Sequence, residues 1–183
     1  MLVIGLSLFA VQGRSQPPRS KICSLQKQEK EVYVDYLRAT ASSAGVRVLV
    51  TMTDAVRPDL DSLNLQLAAN GRGIPPDVRR DFELKNKTTC EIEPIVGIQR
   101  LRFISKRDEH SLFKTGWAEF HKKYGKDAEI DSLSRVGFNA DNSLALLHVS
   151  GGIGPMGGGG VLYLLERKDG HWAIKTQIAT WTT

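Results

Sequence analysis

The chain is poor in the residues from which reactive centres are built. Its 183 residues include two cysteines and four histidines, with no C-x-x-C pair and no histidine cluster to supply the ligands of a zinc site. No metal is expected, and no cofactor. No apolar run reaches the ~20 residues of a membrane-spanning helix, so the mature chain is expected to lack a transmembrane segment. The net charge is +5, from 25 lysines and arginines against 20 aspartates and glutamates. Basic residues gather in RLRFISKR (Arg100 to Arg107) and HKKYGK (His121 to Lys126), where aromatic neighbours invite a base-stacking reading. However, Arg100 and Arg102 alternate with Leu101 and Phe103 as a solvated strand face does, and Lys122 and Lys123 fall on the outer face of a helix. Nucleic acid is not an expected partner; weak attraction to an anionic envelope surface is compatible with this charge.

The first residues carry an address. Leu2 to Val11 form an apolar run of about ten residues followed by Gln12-Gly13 and the proline-bearing RSQPPRS. The run is too short to span a bilayer and fits the h-region of a secretory signal, with small enough residues at Val11 and Gly13 for cleavage after Gly13. A buried N-terminal element is the alternative, since no basic n-region precedes the run. The expected organisation is a signal peptide over 1–13, a disordered lead-in over 14–22 and one domain over 23–183, secreted or periplasmic in a bacterium. In an oxidising compartment Cys23 and Cys90 are expected to pair, closing a loop of some 68 residues worth roughly 4 kcal/mol by chain entropy. Two unrelated thiols are the competing reading.

Local patterns then set the elements. Ser24 is placed to cap a helix in which Val32, Tyr33, Tyr36 and Leu37 recur at helical spacing, ending among the small residues from Ala41 to Gly45. Val46 to Thr53 reads as a strand with Val46, Val48 and Val50 on one face. Arg57 to Pro76 is ambiguous between a short helix and a strand. Pro75-Pro76 introduces a helix over Asp77 to Lys85, with Val78 and Phe82 on one side. Asn86-Lys87-Thr88 forms an N-glycosylation sequon, relevant only in a eukaryotic secretory pathway. A helix is predicted over 110–124, because Phe113, Trp117, Phe120 and Tyr124 make one aromatic stripe and Gly125 supplies the stop.

From Ser132 to Trp181 the chain reads as an antiparallel β-meander of about four strands: SLSRVGFN, LALLHVS, VLYLLERK and HWAIKTQIATW. Asp169-Gly170 joins the last two as a two-residue type I′ turn. Trp172, Ile174, Thr176 and Ile178 share a parity that Trp181 breaks, which points to a bulge between Gln177 and Thr180 or to an end that leaves the sheet. The fold class is therefore α+β: a meander packed by the aromatic-faced helix, with further N-terminal helices and a strand, in a cup of the cystatin or NTF2 kind. That comparison concerns shape alone.

Function is less legible. GGIGPMGGGG (Gly151 to Gly160) places seven glycines in ten residues, but it lacks the GxxxxGK[ST] of a phosphate loop and runs into a strand rather than a helix. It reads as a flexible connector with Met156 at its tip, and Met156 and Gly157 are candidate partner contacts. Among acid-base candidates, His148 shares a face with Leu144 and Leu146. His110, His121, His171, Asp54, Glu119 and Glu166 complete the set, and none has a partner identifiable by spacing. Arg135 and Glu166 are expected to form a cross-strand pair. No catalytic residue is assigned. His148, Arg135 and Glu166 are candidate pocket groups.

The run from Trp117 to Phe120, Lys123-Tyr124-Gly125, SLSRVGFN (Ser132 to Asn139), ALLHV (Ala145 to Val149), the glycine-rich loop, VLYLLERKDGHW and the terminal IATW resemble a group of secreted bacterial proteins of unknown function. Their shared pattern is of the type FSRVGFN…QALVYV…GxGxYVLLxKxxGKWxI…W, and the Asp81-Phe82 and Lys85-Asn86 stretch is similar as well. The resemblance covers roughly the C-terminal 75 residues and implies an exported protein without implying an activity. Such relatives often carry an aromatic where this chain has His148, and some carry loop cysteines that are missing here, which excludes a loop disulfide. Two readings result. The first is a non-catalytic extracytoplasmic module binding an unknown protein or envelope component through the glycine-rich loop and a sheet face. The second is a domain that binds or hydrolyses a small molecule in a pocket between the 110–124 helix and the sheet.

Overall fold

A computed structural model describes residues 23–41, 45–55, 58–69 and 71–183. The expected signal peptide and lead-in lie outside the described residues. In chain order the elements are β1 (Cys23–Ser24), α1 (Lys27–Ala39), β2 (Arg47–Val50), α2 (Leu60–Ala68), α3 (Pro76–Lys85), β3 (Cys90–Glu91), β4 (Leu101–Ile104), α4 (Lys106–Phe113), α5 (Trp117–Tyr124), β5 (Glu129–Leu133), β6 (Gly137–Phe138), β7 (Leu144–Gly152), β8 (Gly158–Lys168) and β9 (His171–Thr182). The class is α+β. The main sheet runs β4-β2-β5-β7-β8-β9, with β6 also paired to β7. It is mixed, because β2 is parallel to both β4 and β5, whereas every pairing from β5 onward is antiparallel.

Alternation along the strands decides what covers each face. Leu49, Leu133, Ala145, Leu147 and Leu165 pack with Val32, Tyr33, Tyr36 and Leu37 of α1. On the opposite face Leu146, Leu162 and Leu164 meet α2 and α3, while Val48, Val50 and Ile130 meet α4 and α5. The ambiguous segment after Arg57 is thus resolved as a helix, since Leu60, Leu63 and Leu67 are buried together. Ser24 belongs to β1, and Gln26 precedes the first turn of α1 instead. Cys23 and Cys90 form a disulfide, seated on the parallel pairing of β1 with β3, with Cα atoms 4.6 Å apart.

The meander is present with two corrections. SLSRVGFN is not one strand: Leu133 pairs with Val149 and Gly137 with Leu146, leaving one extra residue on the β5–β6 side. The Ser134 hydroxyl fills the break by accepting the His148 amide at 2.9 Å, and the Ser134 amide donates to the His148 carbonyl at 2.9 Å. The extra residue lets Leu133 and Phe138, of opposite parity, both enter the α1-side core. Gly137 allows α3 to pack on β6, because a Cβ there would lie 2.5 Å from Phe82 Cβ. In β9 the predicted bulge exists at Thr180, where Val161 pairs with Ala179 but Gly160 with Trp181. A second shift, at Lys175, has no signal in the strand alternation. It sends Trp172 and Ile174 to the α1 side and Ile178 to the other, so those residues do not share one face. The Asp169-Gly170 turn holds, with φ of 50° and 84° and Lys168 paired to His171.

The 110–124 helix is also corrected. It is two helices, α4 and α5, separated at Gly116, whose φ of 88° no helix accommodates. The first starts earlier than the aromatic pattern suggests, because the Ser105 hydroxyl accepts the Asp108 amide at 3.0 Å and caps the helix. The stripe survives the break: Phe113 lies 4.9 Å from Trp117 and 5.5 Å from Phe120, ring centre to ring centre. It packs on the parallel part of the sheet rather than on the meander.

Candidate functional site

A groove of about 400 Å³ opens where α4 and α5 meet the glycine-rich hairpin. Two tryptophans wall it. Trp117 reaches over Gly152, its indole 3.5 Å from where a side chain would begin, and Trp181 stands at the same distance above Gly158. Gly160 lies directly beneath the Trp181 ring nitrogen and the Thr180 hydroxyl. The hairpin glycines therefore make a floor thin enough for indoles to lie on, because any Cβ at Gly160 would displace Trp181. The Thr180 bulge turns consecutive residues Thr180 and Trp181 toward this same side.

Polar groups line the groove among these aromatics. Asp54 follows β2, its amide donating to Leu133 O at 2.8 Å, and its carboxylate accepts the Ser150 hydroxyl at 3.3 Å. Ser132 lines it from β5, and Lys106 and Glu109 line it from α4, paired at 2.8 Å. The site thus sits beyond the carboxyl ends of the parallel strands β2 and β4, where the chain diverges into separate connections and leaves a crevice. A second cavity of about 340 Å³, between α2 and β9, has Thr180 and Trp181 in its wall.

His148 lies on the predicted face, fully buried beside this region. Burial pushes its imidazole pKa down to about 4, with the Asp54 carboxylate pulling the other way. Nε2 is 2.9 Å from Thr180 Oγ1, and Nδ1 is buried with no partner among the described residues. Hydroxyl activation calls for a carboxylate orienting the second ring nitrogen, and among the described residues none bonds to Nδ1. His148 is thus a buried, neutral ring that ties β7 to the Thr180 bulge through Nε2.

The other predicted residues do not gather here. Arg135 lies on the α1 side and pairs with Glu29, Nη2 to Oε2 at 2.9 Å, rather than with Glu166. Glu166 is held by Lys168 at 2.5 Å and by Lys175, the bulged residue of β9, at 3.3 Å. Met156 and Gly157 occupy the hairpin tip, outside the groove. The connector is shorter than expected: Gly151 and Gly152 pair with Gly159 and Gly158, so only residues 153–157 turn. Asn86, the sequon residue, is buried, and its amide donates to Phe82 O and Arg135 O. Of the groove's own residues, Asp54 was a candidate by type. Ser132 and Ser150 were findable only as polar residues sharing strand parity with Ile130 and His148.

Among the described residues no group of three histidines, cysteines, aspartates or glutamates could hold a metal ion, and no helix is long and apolar enough to cross a membrane. No family model, curated protein or solved structure matches the chain.

Proposed function

We propose that this chain is an extracytoplasmic, non-catalytic binding module that holds a small organic molecule between the glycine hairpin and α4–α5. The reading rests on one observation: Trp117 and Trp181 flank a groove of about 400 Å³ whose remaining lining includes Asp54, Ser132 and Ser150. Sites for small ligands are typically about 300–1,000 Å³, mostly apolar, with a few polar groups that fix orientation. A ligand would lay a flat or apolar face on the indoles and present donors to the Asp54 carboxylate. Rigid aromatic walls favour this, because two-torsion side chains lose little entropy on binding. His148 is buried and bonds to Thr180 rather than to a carboxylate, so its ring is tied into the sheet beside the groove. Export is supported by the Leu2 to Val11 run, by the resemblance to secreted bacterial proteins, and by a disulfide that reducing compartments disfavour.

Native mass spectrometry of protein recovered from a bacterial periplasm tests this reading, together with melting curves across a panel of sugars, amines, amino acids and nucleotides. Wild-type protein is expected to carry or respond to one class, and Trp181→Ala and Asp54→Asn are expected to lose that response while melting within a few degrees of wild type. A wild type that carries nothing and responds to no class refutes the proposal.

A further inference from the structure

Ile153 and Met156, at the end of the glycine hairpin, do not line the groove. Ile153 is 61 % exposed and Met156 86 % exposed, and Trp181, 43 % exposed, lies against the same hairpin at Gly158. Single exposed apolar side chains are ordinary on a soluble protein, whereas several converging on one protrusion mark a contact surface. The tip is ordered: the Ile153 amide donates to Gly157 O at 2.9 Å and the Gly157 amide to Gly154 O at 3.2 Å. Its apolar side chains are thus held outward rather than folded back.

The same tip is tied to a basic helix end. His121 Nε2 donates to Ile153 O at 3.1 Å, and His121, Lys122 and Lys123 form the last turn of α5. From Lys114 to Lys126 the chain has four lysines and one glutamate. Lys122 is 77 % exposed and only loosely paired with Glu119, at 3.7 Å. Exposed apolar side chains at an apex bonded to a lysine-bearing helix end suit a lipid surface, in which anionic headgroups overlie hydrocarbon, and tryptophan favours that boundary.

We infer that the hairpin tip, Ile153 to Gly157, docks on an anionic phospholipid surface, with Ile153 and Met156 entering the headgroup layer and Lys122 and Lys123 meeting the phosphates. Docking there would set the groove beside the bilayer, although the inference does not depend on the groove being occupied. Co-sedimentation with phosphatidylglycerol vesicles, against pure phosphatidylcholine vesicles, tests it. Wild-type protein is expected to bind the first and not the second, and to be released by salt. Lys122→Gln and Lys123→Gln should each weaken binding about fivefold, and Ile153→Ser with Met156→Ser at least about tenfold. Circular dichroism should be unchanged in all variants, since these side chains are exposed. Absence of binding to phosphatidylglycerol overturns the inference. So does binding that the Ile153→Ser/Met156→Ser variant retains in full, which would indicate only diffuse attraction of a basic chain.

Discussion

Removing the Glu29 carboxylate should damage this fold more than any change at the groove. Glu29 is fully buried in α1. Its carboxylate accepts four donors: Arg135 Nη2 at 2.9 Å, Arg135 Nε at 3.2 Å, Val136 N at 3.2 Å and Gln26 N at 3.0 Å. It therefore joins the first turn of α1 to the kink between β5 and β6. In Glu29→Ala the Arg135 side chain, only 11 % exposed, loses its counter-charge while still buried, and breaking such a pair costs about 3–5 kcal/mol. The Val136 amide is orphaned too, at about 1–3 kcal/mol. These costs overlap, because water admitted by the truncation would serve both groups. A loss of about 4 kcal/mol is the working figure, against a total of about 5–15 kcal/mol for a domain. At about 2–4 °C per kcal/mol for a chain of this size, the midpoint should fall by about 8–16 °C. Chemical denaturation of Glu29→Ala, Arg135→Ala and the double variant measures the coupling as well, and the double variant should lose clearly less than the two singles together. A Glu29→Ala loss below about 1.5 kcal/mol, or additive singles, would refute the assignment of a tight buried pair.

Other perturbations probe separate parts of the molecule. Phe120→Ala should cost about 3–5 kcal/mol because its ring is fully buried. Trp117→Ala should cost less, since that ring is only partly buried where it lines the groove; equal losses in urea curves would return Trp117 to the core. Reduction of Cys23–Cys90 should lower stability by about 4 kcal/mol, for a loop of 67 residues' separation, and an unchanged midpoint in dithiothreitol would count against that constraint. Two titrations should oppose each other. His148, lowered to about 4, contributes stability that is lost as pH falls from about 6.5 toward 4. Asp131, whose carboxyl burial raises to about 6 despite the nearby Arg47, contributes stability present below about 3.8 and lost as pH rises toward 6. Each is worth about 3 kcal/mol at about 1.4 kcal/mol per unit, so Asp131→Asn should expose a fall in stability between pH 6.5 and 4 that the wild type lacks. Parallel pH profiles for the two proteins would contradict this.

What the sequence reveals divides along the range of the interactions involved. The Asp169-Gly170 hairpin, the helix after Pro75-Pro76 and the face of His148 depend on a few neighbouring residues and on the two-residue period of strands, so they can be read directly. The break at Gly116 and the early start at Ser105 are local as well. They are hidden because the aromatic stripe keeps its spacing across the interruption, Phe113 still stacking on Phe120. The partner of Arg135 is a different kind of miss. Glu166 is the nearer acid by strand reasoning, and Glu29 stands 106 residues away in a helix whose docking no local pattern specifies.

The groove shows the same limit from the side of function. Its two walls come from Trp117 and Trp181, and each tryptophan has a plain local reading, as part of a helix stripe or as the end of a strand. Trp117 reaches the hairpin from α5, and Trp181 meets it through the register of β8 against β9 with its Thr180 bulge. The bulge in turn is held by a bond from a buried histidine on a third element, β7. His148 and the glycines of the hairpin, which look like an acid-base candidate and a loose connector when taken singly, together seat Trp181. Replacing His148 with leucine should then leave the sheet paired but free the bulge, and a red shift of Trp181 fluorescence relative to a Trp181→Phe control would report it. An unchanged tryptophan spectrum in His148→Leu would mean that Trp181 is positioned by the hairpin alone.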